Sequence, residues 1–242
     1  MDALVLAGGL GTRLRPILRN LPKPMAPVLG KPFLDHLARY WLKQGISRFI
    51  FCVGYRREAV QSYFKNRWRG LPIEYSVESK PLGTGGALIE ACKRLPAHKT
   101  ILALNGDTFF DVPLKSMQRL TQVNDAELTL ALAPGSREAR FDSVKISSKG
   151  RILEILGRKK MGRTGWRNAG VYLFKPELFA DYFAETHARF RSFENEILPA
   201  FIQAERRVFG YRYRGTFLDI GTPASYQTAE SFIREAKIWK KF

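Results

Sequence analysis

A loop rich in glycines and cations follows the first apolar run of the chain. The run ALVLA (residues 3–7) leads into GGLGTRLRP (residues 8–16), and Lys23 follows between two prolines. Glycines let backbone N–H groups approach an anion closely, and the prolines stiffen the backbone that carries Lys23. Arg13 and Lys23 therefore predict a polyphosphate site, and the alternative is a glycine turn with surface cations.

This loop differs from two common phosphate-binding motifs. Leu14 stands where a dinucleotide-binding loop carries its third glycine, and no Gly-Lys-Ser or Gly-Lys-Thr sequence completes a P-loop. A phosphate bound here would be held by the loop backbone together with the two cations.

Two aspartates far apart in the sequence follow strand-like segments. Asp107 ends LNGD (residues 104–107), at the carboxyl end of a buried strand, where open α/β sheets place their sites. Asp219 lies in FLDIGTP (residues 217–223), between apolar residues. Two carboxylates with phosphate oxygens and water are a ligand set that Mg²⁺ prefers. The alternative for each is a turn or helix-capping aspartate, and Asp111 is assigned to a turn.

Histidine and cysteine chemistry is not indicated. The three histidines are scattered, and no Ser-His-Asp arrangement is legible. Cys52 and Cys92 lie in apolar runs without a CxxC motif, so neither a disulfide nor a zinc site is predicted. The chemistry is expected to consist of positioning and charge neutralisation.

The pattern of elements predicts an α/β fold. Apolar runs typical of buried strands alternate with helical segments in the first half, which implies a mostly parallel sheet flanked by helices. Strands are predicted at residues 3–7, 49–53, 73–77 and 100–104, and helices at residues 32–44, 57–66, 86–95 and 114–123. The second half adds strands at residues 127–133, 166–174, 208–213 and 216–220, a hairpin at 143–155, and helices from Pro176, at 192–204 with a break at Pro199, and at 223–239.

Length and charge limit the remaining possibilities. A chain of 242 residues is expected to form one domain, 1–242, with two halves at 1–125 and 126–242. The net charge of +18 favours an anionic partner, which nucleic acid and phosphorylated small molecules both satisfy. No signal peptide or membrane span is predicted, so we expect a cytoplasmic protein.

Six motifs in order resemble those of the sugar-1-phosphate nucleotidyltransferases. They are GGLGTRLRP, LPKPM, ESKPLGTGG, LNGDTF, NAGVYLF and FLDIGTP. The resemblance runs from Leu4 to about Ala229 and is greatest to bacterial heptose-1-phosphate and mannose-1-phosphate guanylyltransferases. It implies a Rossmann-like, GT-A-like nucleotidyltransferase fold, in which the phosphate of a sugar 1-phosphate attacks the α-phosphorus of a nucleoside triphosphate and expels pyrophosphate.

The resemblance also implies roles for individual residues. Arg13 would hold the β- and γ-phosphates, Lys23 the α-phosphate or the attacking phosphate, and Asp107 with Asp219 would carry Mg²⁺; Arg13, Lys23 and Asp107 form the catalytic set. The nucleotide-binding set is Leu6, Ala7, Gly8, Gly9, Gly11, Thr12, Arg13, Glu78, Pro81, Leu82, Gly83 and Thr84. The sugar-phosphate-binding set is Asn105, Gly106, Arg158, Lys159, Asn168, Ala169, Gly170 and Glu194.

Two departures from the family pattern bear on specificity. Glu78 is complementary to the two N–H donors of guanine and favours GTP, but Lys80 stands where relatives often carry a second acid. Relatives also commonly have a Glu-Lys pair after the hairpin, whereas this chain has Gly157 before Arg158 and Lys159. Glu194 is the remote candidate to replace the missing acid.

Three functional hypotheses follow. The first is a guanylyltransferase that acts on heptose 1-phosphate, with mannose 1-phosphate as the alternative sugar, for surface polysaccharide synthesis. The second uses UTP or dTTP with a hexose 1-phosphate, and the third is an inactive nucleotide-sensing or nucleic-acid-binding relative. Retention of both predicted metal carboxylates argues against the third. We expect a nucleoside triphosphate and a sugar 1-phosphate as partners, with no nucleic acid or membrane and a possible homo-oligomer.

Overall fold

The structure is a computed structural model and describes residues 1–18, 20–135, 143–157, 165–184 and 188–235. The described residues form fourteen strands: β1 (Asp2–Leu6), β2 (Pro27–Val28), β3 (Lys31–Pro32), β4 (Arg48–Val53), β5 (Arg67–Trp68), β6 (Leu71–Val77), β7 (Ile101–Asn105), β8 (Thr108–Phe110), β9 (Leu128–Pro134), β10 (Ser143–Ile146), β11 (Ile152–Gly157), β12 (Trp166–Phe174), β13 (Val208–Arg212) and β14 (Phe217–Asp219).

The described residues also form nine α-helices: α1 (Arg15–Leu18), α2 (Phe33–Lys43), α3 (Arg57–Phe64), α4 (Gly83–Cys92), α5 (Leu114–Val123), α6 (Ala180–Phe183), α7 (Leu198–Gln203), α8 (Pro223–Gln227) and α9 (Ala229–Glu235). Short 3₁₀ turns occupy Lys23–Met25 and Pro176–Phe179, and a π-helical turn occupies Phe193–Ile197. Within these ranges, no helix is both long and apolar enough to cross a bilayer.

The chain folds as two compact units. Unit 1 comprises Met1–Pro81, Leu104–Asp111 and Thr216–Phe242, and unit 2 comprises Leu82–Ala103 and Val112–Gly215. Strand β7 contributes residues to both. The prediction of one domain with halves at 1–125 and 126–242 stays a prediction.

Unit 1 is built on parallel strands. β1 pairs with β4 and β4 pairs with β6 in parallel, while β5 adds an antiparallel pair to β6. β4 is buried almost throughout because apolar side chains point to both faces, as expected of a parallel strand covered on both sides. Helix α2 buries an apolar face that includes Leu34 and Trp41, and Gly45 follows it with a φ of +96°, which favours glycine.

A two-stranded antiparallel ribbon in unit 1 carries the predicted metal residues. β8 begins immediately after Asp107, and β14 ends at Asp219. Their register pairs Asp219 with Thr108 and Phe217 with Phe110. Residues directly opposite each other in an antiparallel pair lie on one face, so this register sets Asp219 beside the start of β8.

Unit 2 is mostly antiparallel. β9 is buried along its length and pairs with β12 antiparallel and with β13 parallel. β10 pairs with both β11 and β12 in antiparallel fashion, and the β10–β11 hairpin turns through Gly150, whose φ is +87°.

The predicted α/β fold, with a mostly parallel sheet, helices and an added hairpin, is confirmed. The predictions for β12 and α5 match the observed bounds. Several predicted helices differ in their bounds. Helix α4 begins at Gly83 rather than Gly86, and the C-terminal helix predicted from Pro223 is interrupted between α8 and α9 at Thr228.

Candidate active site

Two glycines of unit 1, Gly11 and Gly106, lie close to residues of other predicted site segments. The N–H of Gly106 donates to the carbonyl oxygen of Leu6 at 2.9 Å, and a Cβ at position 106 would lie 2.6 Å from that oxygen. Gly11 has a φ of +57°, and a Cβ there would lie 3.1 Å from Cβ of Lys23. Close approach to a backbone oxygen therefore requires glycine at position 106, and the positive φ with a tight contact to Lys23 favours it at position 11.

Lys23 and Asp107 form an ion pair within unit 1. Lys23 begins a 3₁₀ turn whose next residue is Pro24, and its Nζ donates to Oδ2 of Asp107. The side chains are 14% and 30% exposed, respectively. Burial raises the pKa of the Asp107 carboxyl, but the neighbouring Lys23 ammonium and the hydrogen bonds from Lys23 and Thr108 outweigh it, so the pKa lies below its ordinary value. Asp107 is thus held as a carboxylate.

Asp219 lies beside the same site through Thr108. Oγ1 of Thr108 lies 3.2 Å from Oδ1 of Asp107 and 3.3 Å from Oδ2 of Asp219. The other Asp219 oxygen, Oδ1, accepts the backbone N–H of Gly221 at 2.7 Å. The structure therefore brings both predicted metal carboxylates within hydrogen-bonding distance of a single hydroxyl.

Glu78 occupies space left by two glycines of unit 1. It follows β6, and its N–H donates to the carbonyl of Val53 at 2.8 Å. A Cβ on Gly8 would overlap the Glu78 carboxylate, and a Cβ on Gly54 would lie 3.5 Å from Cβ of Glu78. The predicted base-recognition acid is thus adjacent to the first glycine of the loop.

In unit 2, Glu194 is the centre of a polar network. The hydroxyl of Thr84 donates to its Oε2 at 2.7 Å, and the hydroxyl of Tyr172 donates to its Oε1 at 3.1 Å. Nδ2 of Asn168 donates to Oη of Tyr172 at 2.8 Å, and Oδ1 of Asn168 accepts the N–H of Gly170 at 3.0 Å. Glu194, distant in sequence, is thereby linked to the Asn168–Gly170 motif.

The remaining predicted residues occupy varied positions. Gly9, Thr12, Arg13 and Pro81 are exposed, whereas Ala7, Leu82 and Ala169 are buried. Gly83 begins α4 with a φ of +71°. Oδ1 of Asn105 is buried and makes no hydrogen bond to the described residues. Arg158 and Lys159 lie outside the described residues.

The chain that carries this arrangement of residues matches a known protein family. The sequence profile of the family described as Nucleotidyl transferase matches residues 2–236. The chain belongs to the nucleotidyl transferase family.

Two relatives of this nucleotidyltransferase match most of its length. D-glycero-alpha-D-manno-heptose 1-phosphate guanylyltransferase of Aneurinibacillus thermoaerophilus is 38% identical over 231 residues, which cover 95% of this chain and 97% of the relative. The protein of the same name from Campylobacter jejuni subsp. jejuni is 36% identical over 226 residues, which cover 93% and 97%.

Solved structures agree with this assignment. The crystal structure of HddC from Yersinia pseudotuberculosis superposes with a TM-score of 0.82 at 31% identity, covering 95% of this chain and 98% of that one. A second crystal structure of HddC, complexed with GMP-PN, superposes with a TM-score of 0.79 at 30% identity, covering 95% and 98%.

Nucleotidyltransferases of this family generally use a divalent metal ion. The described residues of this nucleotidyltransferase contain no cluster of three or more His, Cys, Asp or Glu side chains that could form a complete cage. Asp107 and Asp219 nevertheless fit Mg²⁺ chemically, because this ion is often bound by one or two carboxylates, with substrate phosphates and water as the other ligands.

Three residues in contact with the predicted set were not singled out from the sequence. Thr108 and Gly54 contact the predicted metal and base residues, and Tyr172 joins Asn168 to Glu194. Tyr172 lies inside the NAGVYLF motif, so its position in the motif was a usable signal. Thr108 lies inside the LNGDTF motif, but its contact with Asp219 required knowledge of the β8–β14 register. Gly54 required the parallel pairing of β4 with β6.

Proposed function

We propose that this nucleotidyltransferase transfers GMP from GTP to D-glycero-α-D-manno-heptose 1-phosphate, giving GDP-heptose and pyrophosphate for surface polysaccharide synthesis. The observation that carries the proposal is the similarity, over more than nine-tenths of the chain, to two proteins named as guanylyltransferases for this heptose phosphate. The GMP-PN complex of a structural neighbour supports guanine as the base. Use of GTP and a sugar phosphate is consistent with a cytoplasmic enzyme. We expect no nucleic-acid or membrane partner. A homo-oligomer stays a possible assembly.

The reaction we propose needs no covalent intermediate on the protein. An oxygen of the sugar phosphate forms a bond to the α-phosphorus of GTP as the bond to the bridging oxygen of pyrophosphate breaks. The attacking phosphate is already an anion at neutral pH, so no side chain has to remove a proton. The protein therefore contributes by aligning the groups and neutralising charge.

We assign the charge neutralisation to unit 1. Arg13 is exposed and is proposed to hold the β- and γ-phosphates. Lys23 has three N–H donors, so it can keep its ion pair with Asp107 and still donate to the α-phosphate or the attacking phosphate. Asp107 and Asp219 would hold Mg²⁺, which would neutralise phosphate charge when bound. The glycines of the loop leave backbone N–H groups accessible to the triphosphate and ribose.

Base recognition is assigned to Glu78. A carboxylate is acceptor-only and complements the N1–H and exocyclic amine of guanine, whereas uracil and thymine present one donor between two carbonyls. The position of Glu78 beside Gly8 supports this assignment. Pro81, Leu82, Gly83 and Thr84 remain proposed nucleotide contacts.

Recognition of the sugar is assigned to Asn168, Gly170 and Glu194. Each Glu194 oxygen accepts one hydroxyl donor within unit 2, from Tyr172 and Thr84. A carboxylate has about four acceptor positions, so two bonds leave capacity for sugar hydroxyls. Glu194 is thus proposed to replace the family acid that is absent beside Gly157, and Arg158 and Lys159 remain proposed contacts for the sugar phosphate.

The test is a pyrophosphate-release assay over GTP, UTP, dTTP and ATP, each paired with heptose 1-phosphate, mannose 1-phosphate and glucose 1-phosphate. We expect the highest kcat/KM for GTP with the heptose phosphate. A preference for mannose 1-phosphate would change the sugar, and a preference for UTP or dTTP would reject Glu78 as a guanine reader. Release with none of the pairs would reject the proposed function in favour of an inactive nucleotide-binding protein.

A further inference from the structure

Thr108 is a buried threonine between two carboxylates. It begins β8, directly after Asp107, and pairs with Asp219 across the β8–β14 ribbon. Its side chain is shielded from solvent, with the whole residue only 7% exposed. Its Oγ1 faces Oδ1 of Asp107 at 3.2 Å and Oδ2 of Asp219 at 3.3 Å.

Each aspartate presents one carboxylate oxygen to Thr108 and has a separate donor for its other oxygen. The second oxygen of Asp107 is held by Lys23, and the second oxygen of Asp219 is held by the N–H of Gly221. One oxygen of each carboxylate is therefore anchored by a donor of its own, and the other oxygen of each faces Thr108. A hydroxyl carries a single proton, so it donates to one of these two oxygens at a time.

This arrangement places one oxygen of each carboxylate within hydrogen-bonding distance of the same hydroxyl. A divalent cation bound by both carboxylates would therefore have two ligands that share one orienting group. Without the hydroxyl, each carboxyl group loses one of its contacts and gains freedom to turn about the contact to Lys23 or Gly221. A cation would then have to order them on binding, which weakens its affinity.

We propose that Thr108 is a positioning residue that holds one oxygen of Asp107 and one oxygen of Asp219 towards a common divalent cation. The inference rests on the metal site within the proposed function. It concerns how the two ligands are held and is independent of which base or sugar the enzyme uses.

Three substitutions separate the hydroxyl from the packing of the side chain. Thr108→Val keeps the shape and removes the hydroxyl, Thr108→Ala removes the hydroxyl without risk of overpacking, and Thr108→Ser keeps the hydroxyl. The matched control is Thr129→Val, since Thr129 is fully buried in β9 of unit 2 and its hydroxyl bonds to that of Thr121 at 2.8 Å.

The measurement is the Mg²⁺ concentration that gives half of the maximal thermal stabilisation at a fixed GTP concentration, without any sugar phosphate. Formation of the magnesium–GTP complex in solution is the same for every variant, so differences report the protein. We expect Thr108→Val and Thr108→Ala to raise this concentration about ten-fold, which is the size of effect typical of partners that orient metal ligands. Thr108→Ser should stay within about two-fold of wild type.

A structural role alone would give a different result. If the two hydroxyl-free variants melt at lower temperature in EDTA but keep the wild-type Mg²⁺ dependence, as expected for Thr129→Val, the positioning role is wrong. The absence of any Mg²⁺-dependent stabilisation of wild type with each of GTP, UTP, dTTP and ATP would also overturn it. Because the assay does not require turnover, failure of pyrophosphate release with every substrate pair would reject the proposed function while this test still decides the role of Thr108.

Discussion

The ammonium of Lys23 is ion-paired with the carboxylate of Asp107, 84 residues later in the chain. Each comes from a short connecting segment: Lys23 opens a 3₁₀ turn between prolines, and Asp107 joins β7 to β8. The pair joins Lys23, which is predicted to bind phosphate, to Asp107, which is predicted to bind the metal ion. Its electrostatics lead to the first prediction.

Replacing Lys23 with methionine should make the protein more sensitive to acid. The pKa of Asp107 is now below its ordinary value, so its contribution to stability is complete above the ordinary aspartate pKa and is lost as pH falls through the lowered one. In Lys23→Met, burial acts without the opposing cation and raises the pKa of Asp107. We expect a loss of roughly 1–2 kcal/mol at neutral pH, given partial exposure of both side chains, and an acid transition at higher pH.

Urea unfolding of both proteins between pH 3 and 7 measures this effect. The control is Lys31→Met, which removes an exposed lysine of the same unit. Stability curves for wild type and Lys23→Met that stay parallel over the whole range would show that Lys23 does not hold Asp107 ionised.

Replacing either proposed metal carboxylate should abolish turnover without unfolding the protein. Asp107→Ala and Asp219→Ala each remove a ligand and leave triphosphate charge uncompensated, so pyrophosphate release should fall by at least about 10³-fold. The matched control is Asp111→Asn, because Oδ1 of Asp111 accepts the N–H of Thr216 at 2.7 Å and asparagine keeps that acceptor. Near wild-type activity of the Asp219 variant in Mg²⁺ would contradict the two-carboxylate assignment.

Sequence patterns located most elements because apolar periodicity and glycine or proline boundaries agree along much of the chain. β12 and α5 were predicted at their observed bounds. The start of α4 was misplaced because glycine disfavours helix locally. Tertiary packing explains the earlier start: the N–H of Gly85 donates to the carbonyl of Arg191 at 2.9 Å, and a Cβ on Gly86 would lie 2.6 Å from the carbonyl oxygen of Arg189.

The sequence predicted which residue types form the candidate site, but it did not predict the contacts between them. The sequence identified Asp107 and Asp219 as carboxylates at strand ends. Three-residue strands such as β8 and β14, however, are too short to show the alternation of apolar and polar residues that predicts a strand. Their pairing, and with it the position of Thr108 between the two aspartates, becomes apparent only from the register.

Base selectivity is the third prediction. Glu78→Gln keeps the size of the side chain and turns one acceptor into a donor facing the N–H groups of guanine. A mismatched buried polar pair costs about 1–3 kcal/mol, so the affinity for GTP should fall roughly five- to 150-fold. ITP lacks the exocyclic amine and keeps N1–H, so it should lose less.

Equilibrium dissociation constants for GTP and ITP test this selectivity, with Glu74→Gln as the control. Glu74 lies on β6, the strand that ends directly before Glu78, is 54% exposed at its side chain and pairs with Arg48. Equal losses for GTP and ITP would mean that Glu78 does not contact the amine. Unchanged affinity for both would place Glu78 outside the base pocket.

The last prediction concerns the sugar and rests on the hydroxyl network of unit 2. Tyr172→Phe removes the donor that holds Oε1 of Glu194, and Glu194→Gln removes its charge at constant size. If Glu194 accepts sugar hydroxyls, both changes should raise KM for the sugar phosphate, by about three- to ten-fold for Tyr172→Phe and ten- to 100-fold for Glu194→Gln, because a hydrogen bond to a charged acceptor is worth about 1.5–3 kcal/mol. The KM for GTP should change by less than about two-fold.

The control for this prediction is Glu196→Gln, on the same π-helical turn as Glu194 and paired with Arg191 at 2.7 Å. Equal increases in KM for GTP and sugar phosphate would indicate a general disturbance of unit 2, and an unchanged KM for the sugar phosphate in Glu194→Gln would remove Glu194 from the sugar site.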